Sequence, residues 1–469
     1  MPIVVSPQLR PLYSAPSRTP LPRPPCGGCR FTRWEKLPTV GTGEVAMGSA
    51  HRLTASQAVA RMAAGRLTAR ALLEDCLARI AIREPAVQAW EALDIDRARA
   101  RADLLDRRAR PAGPLHGLPL AVKDIVATRF MPTACGSPIY RDRVVGRDAE
   151  CVARLQKAGA IVLGKSVTTE FAGAHAGKTH NPHDLRHTPA GSSSGSAAAV
   201  ADFMVPFGIG TQTAGSVIRP GAFNGVVAYK GSYGWADMTG VNPYAPSLDT
   251  LGFFVREAND LALVRAAWGH EAASPPATRL QIGFCRTPWW DEVDPANRRN
   301  LEDAARRLRA AGALVREWAA PETWRGLVAA QHRLMTREAT RSFAAERARF
   351  THLFSPALKS VMADGDAVNA AQLAGARRAK RRALTDLVPA WQRFDLLLVP
   401  AAKGEAPAGL GYTGDPLFNR TWTLLGLPCI SLPVGRGPFG LPLAVQLIGP
   451  PGSDDRLIAQ ARWIEAHLS

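Results

Sequence analysis

The sequence predicts an α/β protein: one large domain with a mixed β-sheet core flanked by α-helices. Three observations carry this. From about residue 115, short apolar segments alternate with helical ones, at Leu118–Val126, Ala149–Lys157 and Ile161–Leu163, which is the pattern of βα units feeding one sheet. Strand signals return at Leu396–Val399 and Cys429–Val434, and a last helical pattern covers Asp455–His467. No internal repeat at solenoid periods breaks the series. The length of 469 residues suits one elaborated α/β domain, and 46% hydrophobic with 21% charged residues is the balance of a chain that folds around a core.

Taken in order, residues 1–46 differ from everything after them. They are rich in proline, with basic residues at Arg10, Arg18, Arg23, Arg30, Arg33 and Lys36 and acids only at Glu35 and Glu44. With no apolar run of the secretory kind, they read as a disordered or targeting-like extension, or as an upstream stretch before a true start at Met47. Cys26 and Cys29 form a lone CxxC without a second ligand pair, so no metal is expected there. Thr54 with Gln57 three residues on reads as a capping pair. Leu72, Leu73, Cys76, Leu77 and Ile80 then recur at helical spacing, with Pro85 expected to end the run. Residues 255–390 are helical and Arg-rich, suited to a layer covering one end of the sheet.

The net charge of +18 rests on 49 arginines and only nine lysines, a bias that coding composition explains as well as function does. Its densest run, Arg377, Arg378, Lys380, Arg381 and Arg382, reads as a solvated helix face, so nucleic acid is not expected as a partner. No apolar run reaches the roughly 18 residues of a membrane span. Seven widely spaced cysteines do not form a disulfide framework and fit a reduced, cytoplasmic protein.

Two patterns imitate chemistry. Gly159 to Ser166 spells a phosphate-binding loop, but its middle residues, Ala160 to Leu163, favour a buried strand and follow a helix. His175, His180, His183 and His187 are close enough for a metal, yet no Cys or Glu stands among them, so they read as ordinary loop histidines.

More specific are Ala190-Gly191-Ser192-Ser193-Ser194-Gly195-Ser196, running into the helix former Ala197–Val200, and Thr211-Gln212-Thr213-Ala214-Gly215-Ser216. Small residues before a serine allow a tight turn whose N–H groups converge on one point, as an oxyanion hole requires. A serine nucleophile needs a base. Lys123 ends the apolar run Leu118–Val122, where desolvation would lower its pKa, although pairing with Asp124 would serve structure alone. Each segment in isolation is better explained as a structural turn or strand end.

Together they resemble the amidase signature family. The match includes L-P-L-A-V-K-D at 118–124, G-K-S-V-T-T-E-F-A at 164–172, N-P-H-D at 181–184, the serine run at 190–196 and T-A-G-S at 213–216. It continues through S-L-D-T-L-G at 247–252, Phe418-Asn419, L-P-C-I-S-L-P-V-G at 427–435 and L-P-L-A-V-Q-L-I-G at 441–449, and is weakest through 255–390. The resemblance implies the amidase signature fold and a Ser–cis-Ser–Lys triad. Ser216 would be the nucleophile, Ser192 the bridging serine after a cis peptide from Gly191, and Lys123 the base. Backbone N–H groups of Thr213, Ala214, Gly215 and Ser216 would hold the oxyanion, with no metal or organic cofactor.

Three departures from the family's commonest pattern stand out. Ala190-Gly191 and Ser194-Gly195 replace Gly-Gly pairs, Gln212 and Ala214 replace Asp and Gly, and Arg219 stands three rather than two residues after Ser216. An acid and a base change together, which suggests a rewired surround of the turn. The leading expectation is a stand-alone amide hydrolase releasing a carboxylate and ammonia or an amine. The alternatives are the A-type subunit of a tRNA-dependent amidotransferase and a catalytically silent family member. Partners expected are a small-molecule amide and, beyond it, a second copy of the chain. Substrate choice would lie at Thr133–Tyr140 and 255–390, and Trp289, Trp290, Trp324, Trp391 and Trp422 are weighed as an aryl pocket against ordinary core packing.

Overall fold

The computed structural model describes residues 49–271, 273 and 279–468, so the expectations for residues 1–46, for Cys26 and Cys29 and for Met47 lie outside the described residues. In chain order the strands are β1 (Trp90–Leu93), β2 (Pro119–Lys123), β3 (Ile161–Ser166), β4 (Phe207–Gln212), β5 (Val227–Lys230), β6 (Thr250–Val255), β7 (Gln281–Cys285), β8 (Leu314–Trp318), β9 (Leu396–Pro400), β10 (Cys429–Arg436) and β11 (Pro442–Ile448). They form one mixed sheet in the order β1-β3-β2-β4-β6-β5-β10-β11-β9-β7-β8. Pairing is parallel in β3-β2-β4 and in β9-β7-β8, and antiparallel elsewhere.

Strands β2, β4 and β9 are buried along their whole length, because helices cover both faces of the sheet. Period-two alternation sends Leu120 and Val122 into one core and Ala121 into another, just as Phe253 and Phe254 part company on β6. The segment that spells a phosphate loop is the buried strand β3. Residues 255–390 carry helices, among them Pro295–Ala310, Arg325–Ser342 and Ala370–Asp386, and also supply β7 and β8, which extend the sheet to its far edge. The Arg-rich composition gave no sign of those two strands.

Thr54 and Gln57 form the reciprocal capping box at the start of helix Ala55–Ala63, with both bonds at 3.2 Å. Pro85 does not end its helix, which runs Ala69–Val87. A proline two residues from the end forfeits one backbone bond there, and the adjoining Glu84 carboxylate takes up the N–H groups of Ala89 and Trp90, both at 2.9 Å. Among the described residues, Cys76, Cys135, Cys151, Cys285 and Cys429 are buried free thiols, and no helix is long and apolar enough to cross a membrane.

Candidate active site

Strand register brings the first two parts together. β2 and β4 run parallel, with Val122 opposite Ile209, so Lys123 at the end of β2 lies beside Thr211. Lys123 is fully buried, and its Nζ donates to Thr211 Oγ1 at 2.9 Å, approaches the Thr211 carbonyl at 3.4 Å and lies 2.7 Å from Ser192 Oγ. Burial pushes its pKa down to about 7, while the charge of Asp249 pulls the other way. A neutral amine here has two N–H groups for Thr211 and a lone pair for the Ser192 hydroxyl. The alternative pairing with Asp124 is not made: Asp124 pairs instead with Lys165, at 3.2 Å, and accepts from the Ala134 amide.

The serine run does more than supply Ser192. Ser193 Oγ contacts the Thr211 backbone at 3.3 Å, Ser194 Oγ donates to the Val167 carbonyl at 3.3 Å, and Ser196 Oγ donates to the Ile209 carbonyl at 2.7 Å. Three neighbouring hydroxyls thus stitch the start of helix Ser194–Ala201 to the ends of β3 and β4. Gly195 is required by space, since a Cβ there would lie 2.2 Å from the Ala89 carbonyl oxygen and 2.4 Å from the Val167 nitrogen. The Gly191–Ser192 peptide bond is cis.

The turn from Thr213 to Ser216 follows β4 directly. Its carbonyls are held one by one: Thr213 O accepts from Gln331 Nε2 at 2.9 Å, Ala214 O from Thr423 Oγ1 at 2.7 Å and Gly215 O from the Arg219 amide at 3.0 Å. In a planar trans peptide the N–H points opposite to the C=O. Anchoring these three carbonyls therefore turns the amides of Ala214, Gly215 and Ser216 the other way. Among the described residues, the amides of Thr213 through Ser216 donate to no protein acceptor. The turn thus presents four consecutive unengaged donors beside the Ser216 hydroxyl. Ser216 is 9% exposed against 1% for Ser192, so Ser216 is the more accessible of the two hydroxyls.

The residues that depart from the common pattern form the frame of this turn. Gln212 Oε1 accepts the amides of Val217 and Ile218, at 2.9 and 3.0 Å, while its Nε2 donates to Thr423 Oγ1 at 2.9 Å. An amide both accepts and donates here, which a carboxylate in the same place could not do. Arg219, 4% exposed, reaches back to the carbonyl of Gly191 at 2.8 Å, tying the segment after Ser216 to the peptide before Ser192. Burial lowers its pKa to about 10. Asp249 accepts from Thr213 Oγ1 at 2.5 Å and from the amides of Tyr244 and Ala245.

Sequence reasoning singled out Lys123, Ser192, Ser216 and the turn but assigned no role to Thr211, Asp249 or Gln331. Asp249 stood inside a recognised motif and Thr211 inside a quoted one, whereas Gln331 belongs to the least patterned stretch and carried no signal. An aromatic group also escaped notice. Phe171 packs against Phe343 with centroids 4.9 Å apart and against Tyr140, and Tyr244 packs against Phe343. Thr169, two residues before Phe171, donates its amide to the Ser192 carbonyl at 3.3 Å.

The other candidates resolve into packing. Trp324 and Trp422 are buried edge to face, with Trp318 beyond, while Trp289, Trp290 and Trp391 pack half-buried against the core. His180 faces the Leu185 carbonyl, His183 the Asn224 carbonyl and His187 the Asp184 carboxylate. Among the described residues no group of three or more His, Cys, Asp or Glu side chains is arranged to hold a metal. Arg377, Arg378, Arg381 and Arg382 are exposed, and Lys380 lies 5.8 Å from the Tyr233 ring centroid.

Known proteins share this arrangement of chain. The family model described as Amidase matches residues 71–458. The A-type subunit of a glutamyl-tRNA(Gln) amidotransferase from Symbiobacterium thermophilum is 32% identical over 85% of this chain and 93% of its own. A crystal structure of an amidase superposes with a TM-score of 0.81 at 30% identity, over 89% of this chain and all of that one. The peptide amidase of Stenotrophomonas maltophilia superposes with a TM-score of 0.75 at 28% identity, over 88% of this chain and 96% of that one.

Proposed function

Because the chain belongs to the amidase signature family, whose enzymes act on C–N bonds, we propose that it hydrolyses a linear carboxamide through a seryl acyl-enzyme, with Ser216 as nucleophile, Ser192 as proton bridge and Lys123 as base. The observation that carries this reading is the buried Lys123 Nζ, 2.7 Å from Ser192 Oγ, on the strand neighbouring the one that leads into Ser216.

Neutral Lys123 accepts a proton from Ser192 as Ser192 accepts one from Ser216. The Ser216 oxygen bonds to the carbonyl carbon, and the negative charge that moves to the carbonyl oxygen meets the amides of the turn. The proton returns along the relay to the leaving nitrogen, the C–N bond breaks, and ammonia or an amine departs. Water, deprotonated by the same relay, then attacks the ester, releases the carboxylate and restores Ser216. The cycle calls on no metal or organic cofactor.

A second reading is favoured by the name of the Symbiobacterium relative: this chain would be the ammonia-producing component of a tRNA-dependent amidotransferase. The two separate by experiment. The purified chain is exposed to a neutral fluorophosphonate and its intact mass measured beside Ser216→Ala and Lys123→Ala. A single adduct on the parent, absent from Ser216→Ala and slowed in Lys123→Ala, is expected. Ammonia release from simple amides by the chain alone favours the hydrolase, labelling without such release favours the amidotransferase component, and no adduct on the folded chain overturns the assignment of Ser216.

A further inference from the structure

The carbonyl of Thr213 belongs to the same peptide as the amide of Ala214, one of the unengaged donors of the turn. That carbonyl accepts from Gln331 Nε2 at 2.9 Å. Gln331 comes from helix Arg325–Ser342 in the covering layer, and no part of it is exposed. Its other side-chain atom, Oε1, accepts from Arg420 Nη1 at 2.5 Å. Arg420, on helix Leu417–Leu425, is half-buried, and among the described residues no carboxylate lies within ion-pairing distance of it. The nearby acids are engaged elsewhere: Asp415 lies 3.5 Å from Lys403 Nζ and accepts from the Leu417 amide, and Asp249 holds Thr213 Oγ1 with the amides of Tyr244 and Ala245.

A cation, a side-chain amide and a backbone peptide therefore stand in one line of hydrogen bonds, all oriented the same way. Each bond in such a line polarises the next. Drawing electrons toward the Thr213 oxygen makes the Ala214 N–H a stronger donor, and the anchored carbonyl keeps that N–H aimed at the reacting centre. We propose that Gln331 and Arg420 are positioning residues for the oxyanion hole: Gln331 fixes and polarises the Thr213–Ala214 peptide, and Arg420 supplies through Gln331 the charge that strengthens it. The covering layer thus takes part in catalysis without touching the reacting atoms. The inference rests on Ser216 being the nucleophile and goes beyond it.

Phosphonylation of Ser216 by a neutral fluorophosphonate tests it without a known amide substrate. The Ser216 oxygen bonds to phosphorus, fluoride leaves, the proton passes into the relay, and charge grows on the phosphoryl oxygen at the turn. Gln331→Glu, which keeps the shape and the acceptor for Arg420 but loses the donor to Thr213, should lower the maximal labelling rate about tenfold or more while leaving the half-saturating probe concentration within about twofold. Gln331→Leu should behave alike, Arg420→Met should lose an intermediate amount, and Arg420→Lys should recover part of it. In Gln331→Leu, which changes no charge, the pH midpoint of labelling should stay where it is, because the line acts on the oxyanion and not on Lys123. Losses confined to probe affinity, a shifted midpoint in Gln331→Leu, or full-rate labelling of folded Gln331→Glu would each overturn the inference. A parent chain that is not labelled at Ser216 would overturn the reading of the nucleophile and this inference with it.

Discussion

Lys123 Nζ donates to Thr211 Oγ1 at 2.9 Å, and through that bond the proposed base on β2 is fixed to the strand that leads into Ser216. Thr211 occupies one of the amine's donors and leaves the lone pair for Ser192. A buried lysine whose pKa has fallen to about 7 is neutral just above neutrality, as a base must be. Labelling and turnover should accordingly rise with pH through about 7 and be lost on its acid side as Lys123 protonates. Lys123→Arg, which stays charged, should cost about 10²- to 10⁴-fold across the whole range, and a pH–rate profile of both proteins checks this.

Burial lowers that midpoint and Asp249 opposes the shift. Its charge stabilises the protonated form of Lys123 and so raises the lysine's pKa. Asp249→Asn removes the charge, and the midpoint of the pH–rate profile should move toward acid. A move toward alkali would show that the carboxylate acts on Lys123 by some route other than its charge.

Gln212 shows what the altered turn requires. Replaced by leucine, it would strand the amides of Val217 and Ile218 and release Thr423 from one partner. Unsatisfied buried groups of this kind cost about 1–3 kcal/mol each. Gln212→Leu should therefore unfold at lower denaturant with an unchanged slope, and its labelling at Ser216 should slow. Gln212→Glu keeps the acceptor for both amides and should retain more of the labelling rate.

Gly195→Ala tests the stitching of the serine run. The added methyl meets two backbone atoms that belong to separate segments, at Ala89 and Val167, and neither can yield as a side chain would. Overpacking costs typically about 1–3 kcal/mol, and rigid backbone neighbours put this site at the upper end. Denaturant unfolding gives the number, and a loss of labelling at unchanged pH midpoint would place the damage in Ser192 alignment.

Much of this protein was legible in its sequence because the informative residues are local. Alternating apolar and helical runs announced a mixed α/β sheet, Thr54 and Gln57 announced a helix start, and the small residues around Ser192 and Ser216 announced two turns. Their recurrence with Lys123 in one order carried the family. Pro85 was misjudged because a last-turn proline forfeits only one bond, and β7 and β8 were missed because five-residue strands in an Arg-rich stretch leave little periodicity.

What the tertiary structure alone decided is which groups meet. Gln331 lies 118 residues from Thr213 and Thr423 lies 209 from Ala214, yet their bonds aim the amides of the turn. Thr211 meets Lys123 by parallel strand register, and Arg219 meets Gly191 across a buried corner. The physical reason is that sequence patterning reports burial and local conformation, both set by near neighbours along the chain. The direction of a hydrogen bond depends on where distant segments arrive.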